Sequence, residues 1–227
     1  MRTADTRCPT PPKRSRGMRL LLIRHGESWS NVEDVIAGER SCRGLTDRGR
    51  HQAALVAECL AAERDRTDIR IVYSTGVRRA VETAEPIAEA FGVPLRPEFP
   101  YNDHGAAEGS GRSETLSGAA GSRPLSVDGP IAPGVDSWAT SARRVGRMLD
   151  VLMCRHHGDT VVLACHRETV LAAGQHFQRI PPTLDHATAE VDYTAITEWA
   201  YGPRSRDPQH WRWTLVRHND TRHLLTM

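Results

Sequence analysis

The sequence predicts an α/β protein built around a mostly parallel sheet. Several short apolar runs show no alternation of polar and apolar residues, which is typical of strands buried on both faces. Segments with apolar residues at helical spacing lie between these runs, and strands that alternate with helices favour a parallel sheet covered by helices. Two of the apolar runs end in a histidine, so we expect polar groups to collect at one edge of the sheet.

The amino-terminal half of the chain contains two strand–helix units. Residues 19–23 predict the first strand, and a helix follows with Thr46 or Asp47 as its N-cap. Residues 69–74 predict the next strand. The helix after that strand ends at Gly92, a residue that commonly terminates helices.

The carboxy-terminal half repeats this pattern after a long irregular segment. Residues 104–134 are rich in glycine, serine and proline, and they predict a loop or lid. The later predicted elements are, in order, a helix over residues 138–152, a buried strand over Thr160–Cys165, a helix over residues 168–177 and two closing strands over residues 194–201 and 210–218.

Length and composition predict one domain in the cytoplasm. A chain of 227 residues can bury one substantial core. We therefore expect a single domain over residues 18–227, with the lid around 104–134, after a disordered basic tail over residues 1–17. A net charge of +2 gives no strong field for nucleic acid or an anionic membrane. The cysteines show no metal-binding or disulfide pattern, which favours free thiols in a reducing compartment. A homodimer is left as an alternative to a monomer.

Two histidines form the candidate reaction centre. His25 follows the first apolar strand, and His166 follows the strand that ends at Cys165. Because ligands of open α/β sheets bind beyond the carboxyl ends of the strands, we expect both imidazoles in one crevice. Either histidine alone would be explained as an ordinary residue at a strand end. Two at equivalent positions, one of them preceded by Arg24, favour a shared site for an anion.

Five sequence blocks follow one another along the chain: RHGESWSN, GLTDRGRHQA, YSTGVRRAVETA, VVLACH and HNDTRHL. Their order resembles that of the histidine phosphatase superfamily, the phosphoglycerate mutase-like proteins, and the resemblance extends from Met18 to Leu224. It implies a three-layer, Rossmann-like sandwich. It also implies phosphoryl chemistry on a small phosphorylated metabolite, with no cofactor.

The resemblance assigns roles to four residues of the crevice. His25 corresponds to the nucleophile that becomes a phosphohistidine, Arg24 and Arg79 to phosphate-binding arginines, and His166 to the second histidine of the pocket. The physical requirement is the same without the family, because the equatorial oxygens of a phosphoryl group must be neutralised before a nucleophile can attack. Two guanidiniums and a protonated His166 would supply that charge. We therefore expect no metal ion, and a chelator should leave activity unchanged.

Three further residues are implied to contact phosphate or substrate. Asn31 and Gly38 stand at positions where the family often makes such contacts. Arg167 stands where many relatives carry a glycine, so this arginine either crowds the pocket or adds a phosphate contact.

Three carboxylates are candidates for the acid that protonates the leaving oxygen. The usual branch of the superfamily has a glutamate where this chain has Tyr101. Asp103 lies two residues further on, and Glu108 matches a different glutamate of the family pattern. Glu168 follows His166 by two residues, as in the acid-phosphatase-like branch, although a carboxylate in the first turn of a helix is also explained by the helix dipole. We expect Glu168 or Asp103 ahead of Glu108.

Three functions remain open at this point. Hydrolysis of a phosphomonoester is favoured, because the segment over residues 104–134 is not the lysine- and arginine-rich insertion that we associate with the glycolytic mutases. Transfer of the phosphoryl group to another hydroxyl, as in phosphoglycerate mutases, is the second. A catalytically weak module that binds a phosphorylated ligand or protein is the third.

Overall fold

The computed structural model describes residues 17–65, 67–99, 101, 126–130, 135–184, 189–204 and 207–225. Within these residues one six-stranded sheet has the order β3-β2-β4-β1-β5-β6. The expected tail and most of the expected lid lie outside the described residues, as do Asp103 and Glu108. No helix in the described part of the chain is both long enough and apolar enough to cross a lipid bilayer.

Strands β1 to β4 are mutually parallel, β5 runs antiparallel to β1, and β6 runs antiparallel to β5. The bounds are β1 Met18–Arg24, β2 Ile69–Thr75, β3 Leu95–Phe99, β4 Thr160–Cys165, β5 Ile196–Arg204 and β6 Asp207–Asp220. β1 lies between β4 and β5, and it pairs with β4 in register from Arg19 opposite Thr160 to Arg24 opposite Cys165. The carboxyl ends of β1 and β4 therefore lie side by side.

The helices cover both faces of the sheet. They are α1 Trp29–Val32, α2 Asp47–Ala62, α3 Arg78–Phe91, α4 Trp138–Arg155 and α5 Arg167–Gln178, followed by a 3₁₀ turn over Arg222–Leu224. The side chain of Thr46 caps α2 by accepting from the Gly49 amide, and Gly92 ends α3 in the left-handed conformation with φ 64°. Both ends agree with the sequence prediction.

Alternating side chains of β1 explain the three layers. Leu20 and Leu22 pack on one face with residues of α4 and α5, whereas Leu21 and Ile23 pack on the other face with residues of α2 and α3. Both faces are apolar because both are covered, which is why the strand reads as one continuous apolar run. The predicted α/β sandwich with a mostly parallel sheet is confirmed.

The structure adds one strand and corrects one expectation about thiols. β3 was not anticipated, because three of its five residues are exposed and the run includes Pro97, which suits a short strand at the sheet edge. Cys42, Cys59 and Cys165 are free thiols, whereas Cys154 is disulfide-bonded. The expectation of free thiols is therefore wrong at Cys154.

Candidate active site

The two predicted histidines lie next to each other at the carboxyl ends of adjacent strands. The parallel pairing of β1 with β4 continues one residue past the strand end, where the His25 amide donates to the Cys165 carbonyl at 2.9 Å. The imidazole centroids of His25 and His166 lie 5.2 Å apart in an edge-on arrangement. Their relative exposures are only 4% and 1%, so the geometry of both rings is set by protein contacts rather than by solvent.

Hydrogen bonds define which nitrogen of His25 is available for attack. Nδ1 lies 2.8 Å from the Gly26 carbonyl oxygen, which can only accept, so Nδ1 carries the proton. Nε2 accepts from Arg79 Nε at 3.1 Å and therefore holds a lone pair. A neutral imidazole with this tautomer has its nucleophilic nitrogen directed at the guanidinium, where an anion would bind.

Arg79 stands at the centre of the cluster and directs its donors in two groups. Nη1 contacts the Ala37 carbonyl at 2.8 Å and the Cys42 sulfur at 3.6 Å, which anchors the back of the guanidinium. On the opposite edge, Nε donates to His25, while Nη2 donates to Tyr101 Oη at 2.9 Å and lies 3.3 Å from His166 Nδ1. This second edge is the fork that binds two oxygens of a phosphate or carboxylate at once.

Among the residues that the structure describes, no acceptor of Arg79 carries a charge that would balance its own. These acceptors are a carbonyl, a thiol, a phenol and two imidazoles, and the residue is only 3% exposed. A buried charge is costly unless an opposite charge accompanies it. The arrangement therefore favours binding of an anion at the fork.

His166 Nδ1 faces a donor in this arrangement and holds a lone pair, and the protonated form that we expect during catalysis stays a prediction. A guanidinium has no acceptor, so Nδ1 accepts from Arg79 Nη2, and Nε2 carries the proton toward Thr75 Oγ1 at 2.9 Å. His166 is also the N-cap residue of α5, and the helix dipole places partial positive charge at this end of the helix.

Arg24 packs against an aromatic residue beside His25, and the sequence analysis did not predict this aromatic residue. Its Nη1 donates to the Val191 carbonyl at 2.6 Å, and its guanidinium carbon lies 4.1 Å from the ring centroid of Tyr193. The same ring lies 6.2 Å from the His25 ring. Residues 191–194 therefore form one wall of the site, and Arg24 is held at that wall.

Close backbone packing positions the loop that carries His25. A Cβ at Gly26 would lie 2.6 Å from the Gly49 carbonyl, and a Cβ at Gly49 would lie 1.9 Å from the Glu27 carbonyl, so only glycines allow the loop to contact the start of α2. Thr83 Oγ1 accepts from the Gly26 amide at 3.1 Å and donates to the Arg79 carbonyl at 2.7 Å. This one hydroxyl links the two segments that carry His25 and Arg79.

Two of the three other predicted contact residues have structural partners. Asn31 Oδ1 accepts from the amide and the hydroxyl of Ser28, which closes the short helix α1. Gly38 is buried, and its carbonyl accepts from the Cys42 amide. Arg167 is half-buried at the start of α5. Roles for these three residues toward a substrate stay predictions.

Glu168 is exposed and lines a cavity of about 360 Å³. The cavity is mainly apolar and lies between α5, β5 and β6, with walls that include Trp138, Leu171 and Trp199. The expected role of Glu168 as the acid stays a prediction.

Cys165 borders His166 but lies entirely in the core. The residue has no exposed surface, and burial raises the pKa of its thiol far above the usual range. It is therefore an inert core thiol. Among the residues that the structure describes, no cluster of three or more histidine, cysteine, aspartate or glutamate side chains is arranged to hold a metal ion.

The fold and the cluster together define an α/β protein with two histidines and an arginine fork at the carboxyl edge of its sheet. The chain belongs to the histidine phosphatase superfamily (branch 1), whose family model matches residues 20–221. Glu168 was expected from a resemblance to the other branch, so this match gives it no added support.

Curated relatives match parts of the chain. A 2,3-bisphosphoglycerate-dependent phosphoglycerate mutase of Thermoplasma acidophilum is 41% identical over 71 residues, which are 31% of this chain and 34% of the mutase. An uncharacterized protein of Mycobacterium bovis is 31% identical over 173 residues, which are 71% of this chain and 45% of that protein. The chain thus matches less than half the length of either relative.

Solved structures match nearly the whole chain. A phosphoserine phosphatase of Entamoeba histolytica in complex with 3-phosphoglyceric acid is 26% identical, with a TM-score of 0.68 over 92% of this chain and 100% of that one. A mycobacterial glucosyl-3-phosphoglycerate phosphatase has a TM-score of 0.73 over 88% of this chain and 98% of that one. At 22% identity the second likeness shows the fold alone.

Proposed function

We propose that the protein is a phosphatase that hydrolyses a small-molecule phosphomonoester through a phosphohistidine on His25. The observation that carries this proposal is the buried Arg79, whose acceptors in the described part of the chain are all uncharged and whose fork lies beside the lone pair of His25 Nε2. A phosphoryl group at the fork would balance the charge and meet the nucleophile in the same step.

The first step forms the phosphoenzyme. Arg79 Nε and Nη2 move their hydrogen bonds from the imidazoles to two phosphoryl oxygens, which frees the lone pair of His25 Nε2. That lone pair attacks phosphorus in line with the leaving oxygen, while the Gly26 carbonyl holds the Nδ1 proton and stabilises the cationic phosphohistidine. Phosphate-monoester hydrolysis is among the slowest uncatalysed reactions, with enzymatic accelerations up to about 10²¹-fold, so charge neutralisation at this fork is the main requirement.

The second step returns the enzyme to its resting state. Water attacks the phosphohistidine, the N–P bond breaks, and inorganic phosphate leaves as His25 regains its lone pair. His166 in its protonated form, with Nδ1–H as donor, and the amino-terminal end of α5 stabilise the oxygens during both steps. Arg24, held at the wall by Tyr193, adds positive charge at the rim.

Phosphoryl transfer to a second hydroxyl is the alternative, and the mutases among the curated relatives favour it. The phosphoserine phosphatase neighbour, which matches the chain over nearly its whole length, favours hydrolysis. Both reactions share the phosphohistidine and differ only in what attacks it.

The proposal also covers the location, substrate class and cofactor requirement of the enzyme. We propose a cytoplasmic enzyme that takes a small phosphorylated metabolite, needs no metal or other cofactor and binds neither nucleic acid nor membranes. The acceptors of Arg79 among the described residues are neutral and leave its fork for an anion, which supports a compact phosphorylated substrate.

The test compares three proteins on p-nitrophenyl phosphate. The wild-type protein should release inorganic phosphate, and His25→Ala should abolish that release because the nucleophile is gone. His51→Ala, which removes an exposed histidine on α2, serves as the matched control and should behave as wild type. Thermal melting of all three proteins separates loss of chemistry from loss of folding.

Other outcomes would redirect the proposal. Exchange of the phosphoryl group between the two hydroxyls of phosphoglycerate, without release of phosphate, would identify a mutase. Retained binding of inorganic phosphate with neither reaction would identify a binding module. Full phosphate release by a folded His25→Ala protein would contradict the proposed nucleophile.

A further inference from the structure

We propose that the hydroxyl of Tyr101 is the proton donor for the leaving oxygen, in place of a carboxylic acid. This inference rests on the proposed phosphoryl chemistry at His25, because a leaving alkoxide needs a proton only if the ester bond is broken there. It concerns a residue type that differs from the glutamate expected at this position.

The contacts of Tyr101 place its hydroxyl in the cluster. Oη lies 2.9 Å from Arg79 Nη2, on the fork edge that also reaches both imidazoles. The phenol ring lies on His166 with a centroid separation of 3.9 Å, and the Arg79 guanidinium carbon lies 5.4 Å from the ring centroid. Three contacts to two site residues hold the ring in place.

The direction of the Arg79 bond matters for the chemistry. A guanidinium has only donors, so Oη is the acceptor in that bond and the phenol hydrogen is not used in it. The same guanidinium would stabilise the phenolate that forms when the hydrogen is given away. Tyr101 therefore has both a transferable proton and a charge partner for its conjugate base.

The distribution of the acceptors around Arg79 supports Tyr101 over a carboxylate. Among the described residues the acceptors at the fork edge are the two imidazoles and the phenol, and in the resting structure the phenol is the one whose hydrogen can pass to an alkoxide. Glu168 is exposed on the wall of the separate cavity beside α5.

The proposed steps balance in protons and electrons. As His25 Nε2 bonds to phosphorus, the P–O ester bond breaks with its electron pair on the leaving oxygen, which takes the Tyr101 proton and departs as an alcohol. The phenolate then accepts a proton from the water that attacks phosphorus. The N–P bond breaks with its pair on Nε2, so Tyr101 and His25 both return to their starting forms.

The test is the dependence of the first turnover on the leaving group. Tyr101→Phe removes one oxygen and keeps the ring that packs on His166. The probes are p-nitrophenyl, phenyl and benzyl phosphate, whose leaving oxygens need increasing help from an acid. The variant should lose about 100-fold or more on benzyl phosphate, the usual contribution of a general acid, and little on the nitrophenyl ester.

A control variant and variants of the three candidate carboxylates show whether Tyr101 itself is the proton donor. Tyr201→Phe removes a phenol at the opposite end of β1, where Tyr201 pairs with Met18, and should match wild type on all three esters. Equal losses for all esters in Tyr101→Phe, or none, would overturn the proposal. A selective loss on the benzyl ester in Glu168→Gln, Asp103→Asn or Glu108→Gln, with none in Tyr101→Phe, would also overturn it. So would a wild-type enzyme that cleaves only the nitrophenyl ester.

Failure of the underlying function gives a different signature. If His25→Ala keeps wild-type turnover on every ester, the phosphohistidine is not formed and the proposed function fails. If His25→Ala is inactive while Tyr101→Phe shows no selectivity, only the role of Tyr101 fails.

Discussion

Replacement of Arg79 by lysine tests the arginine fork, because lysine keeps the positive charge and loses the geometry. In the resting structure Nε contacts His25 and Nη2 contacts His166 and Tyr101, so the fork offers two directed donors to a phosphoryl group. An ammonium is a single point donor on a flexible stem. Arg79→Lys therefore removes at least one charge-assisted hydrogen bond to the transition state.

The structure sets the expected magnitude. One charge-assisted hydrogen bond contributes about 1.5–3 kcal/mol, which corresponds to a decrease in kcat/KM of about 10- to 150-fold. Arg79→Ala removes both bonds and the charge, so its decrease should be about the square of that factor if the two bonds are independent. The assay is release of p-nitrophenol at low substrate concentration, with thermal melting as the folding check.

Two results would refute this reasoning. If folded Arg79→Lys keeps wild-type kcat/KM, the fork does not contribute bidentate binding. If Arg79→Lys and Arg79→Ala lose the same amount, the charge of the side chain has no value without the fork. Because the guanidinium is only 3% exposed, a loss of stability in both variants is expected and must be separated from the loss of chemistry.

Two further predictions concern residues that support the site. Thr83→Val should leave the buried Gly26 amide without an acceptor, at a cost of about 1–3 kcal/mol in unfolding free energy, and should lower kcat. Thr83→Ser should restore both, and equal behaviour of the two variants would contradict the link. Burial lowers the pKa of His223, whose Nε2 donates to Thr194 Oγ1 and whose buried Nδ1 has no partner in the described structure. A depressed folded-state pKa means that the unfolded chain binds the proton more readily. Stability should therefore be fully present above the unfolded pKa and should fall as pH drops through it toward the folded value. The decrease should be smaller in His223→Gln, as measured by urea unfolding at several pH values. An identical pH dependence in both proteins would contradict this assignment.

The sequence predicts the centre of the site because strand ends are local signals. His25 and His166 directly follow apolar runs that end at Arg24 and Cys165, and the parallel register brings those ends together. Arg79 lies at the start of a helix that follows a third strand, so its approach to the same edge is also a consequence of the α/β order.

The walls of the site could not be predicted in the same way. Tyr101 and Tyr193 lie outside the helices and strands, and their contacts with Arg79 and Arg24 depend on packing between distant segments. β3 was missed because an exposed edge strand lacks the apolar signature of a buried one. Glu168 matched a spacing, and it lines a cavity whose described walls include neither His25 nor Arg79, so spacing alone does not decide its role.

Chemical identification of the phosphorylated atom tests the histidine mechanism most directly. The protein is mixed briefly with p-nitrophenyl phosphate, quenched at alkaline pH to preserve phosphohistidine, and analysed by tandem mass spectrometry and by ³¹P NMR against the two phosphohistidine isomers. The hydrogen bond from Nδ1 to the Gly26 carbonyl predicts a phosphoryl group on Nε2 of His25. A phosphoryl group on Nδ1, on another residue, or on no residue during turnover would contradict that prediction.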